Sequence, residues 1–158
     1  MSRRAVLYSV LCAAAILFTA CGESTAAVSG TPLNASPVTT ATIAAASNSK
    51  LGQILVDGNG RTVYLFAADT ATTSTCYGEC AQYWPPVLTS GQPVAGSGAS
   101  ASLLGTTQRT DGSTEVTYGG HPLYYVVTDK NAGDTSGQAV NNYGGLWYVV
   151  GPDGKQIT

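Results

Sequence analysis

Two cysteines separated by three residues, Cys76 and Cys80, and a single histidine, His121, are the residues of this chain whose chemistry is most specific. Soft thiolates select Cu(I) and an imidazole can complete the site, so Cys76, Cys80 and His121 form a candidate copper set. Such a site requires that His121, 41 residues downstream of Cys80, folds beside the pair. A dinuclear centre of two histidines and a methionine is excluded, because the chain has one histidine and its one methionine is Met1. The same thiols could serve a dithiol–disulfide exchange, although exchange proteins usually place Cys-x2-Cys at a helix start. In an oxidising compartment the default is a structural disulfide. Closing so short a ring contributes roughly 2 kcal/mol by the chain-entropy argument. The disulfide is therefore the expected state, no cofactor is expected, and copper stands as the rival. No Cys-x-x-Cys-His occurs, which excludes a c-type haem.

A second group with chemical potential is a pair of carboxylates, Asp69 and Asp129, each five positions after a tyrosine, Tyr64 and Tyr124. Two carboxylates ~5–10 Å apart could perform glycoside acid–base chemistry. Residues i and i+5 on a continuous strand face opposite sides, so each aspartate is expected just beyond a strand end. There it would accept loop N–H bonds, while the tyrosine rings are buried and their hydroxyls find partners. A structural role is favoured over catalysis. The remaining catalytic signatures fail: no Gly-x-Ser-x-Gly occurs, and Gly91–Gly98 lacks the Lys-Ser/Thr of a phosphate loop and reads as a loop between repeats.

The elements that position these residues follow from patterning. Residues 1–20 hold Arg3 and Arg4, then the apolar run Ala5–Phe18, the layout of a secretory signal peptide. Its removal leaves five basic against nine acidic residues, a net charge of −4, which argues against nucleic-acid binding. Residues 21–49 are rich in Ser, Thr, Ala, Gly and Pro and read as a flexible tether. Residues 50–158 change texture and read as one mainly β domain. Three hairpins are predicted: Gly52–Val56 into Arg61–Ala67, Glu115–Tyr118 into Pro122–Thr128, and Leu146–Val150 into Lys155–Ile157. Gly78–Trp84 is predicted as one short helix, stopped by Pro85 and Pro86. Arg61–Ala67 and Pro122–Thr128 are apolar on both faces and should form the middle of the domain. Its tyrosines and tryptophans are read mainly as core.

Self-similarity organises the domain. Gly60–Asp69 parallels Gly120–Asp129, and each is followed by a tryptophan, Trp84 or Trp147, 20 or 23 residues after its tyrosine. Two copies, at about 51–90 and 106–157, are expected to form one pseudo-symmetric domain. Leu17-Phe18-Thr19-Ala20 before Cys21 resembles the lipobox of bacterial lipoproteins, in which the cysteine thiol is acylated. Together with Cys76-Tyr77-Gly78-Glu79-Cys80 and Gly144-Gly145-Leu146-Trp147-Tyr148, the tandem motifs resemble the bacterial secreted-repeat lipoproteins with paired Tyr-x4-Asp motifs, over about Leu51 to Gly154. That resemblance implies export and no enzyme activity, the family's function being undetermined. The expected protein is lipid-anchored on the outer face of the cytoplasmic membrane, as a non-catalytic binding or structural module for an envelope ligand or protein. A copper or thiol-redox accessory using Cys76 and Cys80 is the alternative, and an enzyme using Asp69 and Asp129 the third.

Overall fold

The computed structural model describes residues 39–158. The expected signal segment 1–20, the expected lipidation site Cys21 and the part of the expected tether up to residue 38 lie outside the described residues. The fold is mainly β, with three small sheets. Strand β1 (Thr42–Asn48) forms an antiparallel hairpin with β2 (Gly52–Asp57), and the chain then crosses the domain as β3 (Tyr64–Phe66). The short helix α1 (Glu79–Tyr83) follows, then β4 (Val94–Ala95), which lies parallel to β1. The second half opens with β5 (Leu104–Gln108), paired with β6 (Thr114–Tyr118), and turns into β7 (His121–Pro122). It ends with β8 (Val140–Asn142) and β9 (Gly145–Val149).

The expected hairpins form, with one change of partner. Gly119 and Gly120 both take positive φ, 59° and 86°, the backbone that a tight two-residue turn between β6 and β7 requires. Gln156 bridges Val150 to close the last hairpin. The turn after β2 also forms, but only Val56 bridges Thr62 before the chain leaves for another sheet. The principal partner of β2 is β1.

The β domain begins before residue 50, where composition placed its start. Residues 42–48, assigned to the linker, are a strand in register with β2 from Ile43–Asp57 to Asn48–Gly52. Its run of alanines gives no alternation of large and small residues. The small side chains are instead what the site demands: a Cβ on Gly96 or Gly98 would meet Ala44 or Ala45 at 2.8 or 2.7 Å. Gly91–Gly98 is accordingly not only a loop, because it carries β4.

The two halves are intertwined. Tyr64 and Tyr124 exchange backbone hydrogen bonds, N to O, at 2.8 and 2.9 Å. Strand β3, from the first repeat, pairs with β9, from the second, with Phe66 opposite Trp147. Reciprocally, Tyr125 and Val127 of the second repeat donate to the carbonyls of Pro85 and Tyr83 in the first, at 2.8 and 3.1 Å. The central strands alternate between two cores, as their two apolar faces predict. Tyr64, Phe66, Tyr124 and Val126 enter one, with Trp84 and Trp147. Val63, Leu65 and Leu123 enter the other, with Val87, Val116 and Tyr118. In the first core Trp84 stacks on Trp147 at 4.0 Å and Trp147 on Phe66 at 4.1 Å.

Candidate functional site

Asp69 and Asp129 lie just beyond the central strands. Each uses one carboxylate oxygen to organise its own loop. Asp69 Oδ1 accepts Thr75 N–H at 2.8 Å and the Thr75 hydroxyl at 2.7 Å. Asp129 Oδ1 accepts Ser136 N–H at 3.0 Å and the Ser136 hydroxyl at 2.6 Å. The other oxygen crosses to the opposite repeat. Tyr64 donates to Asp129 Oδ2 at 2.6 Å, and Tyr124 donates to Asp69 Oδ2 at 2.7 Å. The tyrosine and aspartate of one Tyr-x4-Asp motif therefore do not bond each other. Each motif is completed by the other copy, which follows from the crossing of the central strands.

The outer partners of the two tyrosines differ. The Tyr64 hydroxyl accepts Gly137 N–H at 3.3 Å. Gly137 must lack a side chain here, because a Cβ would lie 2.7 Å from the Trp84 ring. The Tyr124 hydroxyl gives its proton to Asp69, so Ser74, 2.7 Å away, donates to it. Ser74 in turn accepts Arg109 Nη1 at 2.5 Å. Arg109 also donates through Nη1 to Glu115 Oε2 at 2.7 Å and through Nη2 to the Cys76 carbonyl at 2.6 Å. Tyr77 covers the guanidinium at 4.4 Å. Glu115 is fully buried, and burial pushes its carboxyl up to about 7 despite the adjacent arginine. Burial raises both motif tyrosines well above the usual range, so they remain donors.

Ser74, Arg109 and Glu115 carry no signal in the sequence that marks them. Thr114-Glu115-Val116-Thr117-Tyr118 alternates as a strand with a solvent-facing Glu115. That face is covered instead: Glu115 is fully buried with Arg109 against its carboxylate, and Arg109 is itself held by Ser74 and the Cys76 carbonyl.

Cys76 and Cys80 are joined in a disulfide with Cα atoms 5.2 Å apart, buried against the aromatic core. His121 sits on β7, opposite Tyr118 in another sheet. Among the described residues no three His, Cys, Asp or Glu side chains are grouped to hold a metal, so the proposed Cys76, Cys80, His121 set is not assembled. The physical reason is that both sulfurs are spent on each other. Reaction with a thiol reagent should find no free thiol in the native protein. Replacing both cysteines by serine should cost about 2 kcal/mol in urea unfolding. Two titratable thiols in the unreduced protein would contradict the bond.

Among the described residues no helix is long and apolar enough to cross a membrane. No curated protein and no solved structure matches this chain. The family model described as a secreted repeat of unknown function matches it twice, over residues 45–88 and 105–151. Those segments contain both central tyrosines, both motif aspartates and both stacked tryptophans, so the chain belongs to the Lipoprotein_15 family of secreted repeats of unknown function.

Proposed function

We propose that this protein is a membrane-anchored extracytoplasmic lipoprotein whose domain acts as a non-catalytic binding or structural module of the cell envelope. The observation that carries the non-catalytic reading is the crossed Tyr64–Asp129 and Tyr124–Asp69 pairing. Both carboxylates that could have done acid–base work are engaged on both oxygens, by loop donors on one and a core tyrosine on the other. The disulfide likewise takes the thiols that a copper site would need, and its burial withdraws both sulfurs from an exchange partner. Charge and sequence pattern argue for a protein or ligand of the envelope as partner, and against nucleic acid.

The anchor rests on Cys21 in its lipobox-like setting. Two or three acyl chains, at about 0.8 kcal/mol per buried CH₂, would hold the domain firmly where one holds marginally. Metabolic labelling of the full chain with an alkyne fatty acid tests this. The natural sequence is expected to carry label and sediment with membranes, and Cys21→Ser to lose the label and appear in the soluble extracytoplasmic fraction. An unlabelled natural chain in that fraction would overturn the anchor.

A further inference from the structure

A groove of about 440 Å³ opens beside the turn after β2, within the ~300–1,000 Å³ range of small-ligand sites. Its walls are of two kinds. Pro86, Leu88 and Tyr125 supply apolar surface, and Thr40, Asp57 and Asn59 supply polar groups. Among the described residues Asp57 is the sole charged one lining it. Its Oδ1 accepts the N–H groups of Asn59 and Arg61 at 2.8 and 2.9 Å, and its Oδ2 accepts the Tyr125 hydroxyl at 3.1 Å. One acceptor position remains on Oδ2, and the Tyr125 oxygen, having given up its proton, can itself accept. Arg61 lies over the Tyr125 ring at 4.2 Å and donates to the Val126 carbonyl at 3.0 Å, which holds the ring in place.

We propose that this groove binds a neutral carbohydrate, one or two sugar rings of an oligosaccharide. A sugar ring has C–H faces for the apolar wall and hydroxyl edges for Asp57, Asn59 and Tyr125. Among the described lining residues an anionic ligand would meet a carboxylate and no cation. A metal ion would meet one carboxylate that has already spent three of its four acceptor positions. A lipid chain would meet threonines and the Asp57 turn. The inference deepens the envelope-module reading and rests on it, by naming the class of ligand the module takes.

The probes are soluble cellotetraose and the N-acetylglucosamine tetramer, titrated into the full chain in a non-glycosidic detergent and followed by amide NMR. At least one should shift the Gly58, Asn59 and Tyr125 resonances saturably, with Kd near 1 mM or tighter. A preference between the two distinguishes plain from N-acetylated glycans. Gly58 offers a blocking variant, because a Cβ there would lie 3.5 Å from the Thr42 Cβ, an ordinary contact. Gly58→Phe should weaken binding at least tenfold with unfolding unchanged, and Asn59→Ala should weaken it severalfold if Gly58→Phe does not fold. Tyr143→Ala, in a separate cleft with Tyr83, should leave it intact. No saturable shift with either sugar, or shifts that survive the groove variants, would overturn the inference. Membrane retention of the same chain would then leave the anchored-module reading standing.

Discussion

Arg109→Met should lower unfolding stability by about 3–5 kcal/mol at pH 7.5, the cost of stranding one member of a buried ion pair. Glu115 is fully buried and has Arg109 as its cation, while Ser74 and the Cys76 carbonyl lose their donor in the same step. The pH dependence carries the sign. Glu115 titrates at about 7 in the fold against an ordinary value of 4.5, so the native protein binds this proton more tightly than the unfolded chain. Stability from this residue is fully present below 4.5 and declines as pH rises through 7, by on the order of 3 kcal/mol. Arg109, Asp69, Tyr124 and Ser74 are the groups that face it. Asp111 and Asp134 are held below the usual carboxylate range and act in the opposite sense, only in stronger acid. Urea unfolding of the natural sequence should therefore show falling stability from pH 5 to 7.5, and Glu115→Gln should flatten that slope. The Arg109→Met penalty should shrink by about 0.8 kcal/mol at pH 5, where the carboxyl is neutral and no longer draws on the arginine. A penalty under about 1 kcal/mol at pH 7.5 would mean that Arg109 is not the charge that makes Glu115 tolerable.

The repeat, the hairpin turns, the short helix and the doubly apolar central strands were legible because each leaves a local mark. Gly119-Gly120 marks a turn, Pro85-Pro86 ends α1, and Tyr64-Leu65-Phe66 is apolar at every position. The strands that open the two halves, β1 and its counterpart β5, were not legible. Thr42–Asn48 is small-residue chain whose one large apolar residue is Ile43, and its side chains are chosen for close approach to Gly96 and Gly98 rather than for burial of area. Glu115 was illegible for a different reason. Alternation tells which residues share a face and says nothing about whether a second segment covers it, and here Arg109 and the Ser74–Cys76 segment do. The aspartates were placed correctly at strand ends with loop N–H partners. Their tyrosine partners could not be read, since spacing within a motif suggests bonding within it. The reason is topological: β3 and the Leu123–Val126 segment cross, so neighbours in sequence are separated in space.

That crossing sets the second large effect. Asp129→Ala should destabilise the domain by about 3 kcal/mol or more, because it leaves the buried Tyr64 hydroxyl without its acceptor and frees the Ser136 N–H and hydroxyl. Size alone would not separate crossed pairing from an intact local motif, whereas double-mutant cycles do. Tyr64→Phe with Asp129→Asn should show a coupling of about 1–2 kcal/mol, as should Tyr124→Phe with Asp69→Asn. Tyr64 with Asp69, and Tyr124 with Asp129, should couple by less than about 0.5 kcal/mol although each pair belongs to one motif. The Tyr124–Asp69 value should also fall when Ser74 is replaced by alanine, since Ser74 donates to the Tyr124 oxygen and so strengthens its proton for Asp69. The reverse ranking, with within-motif pairs strongly coupled, would mean that the repeats are stabilised separately. The ranking expected here means that each repeat lacks its own acceptor for a buried tyrosine, and that neither half should fold when expressed alone.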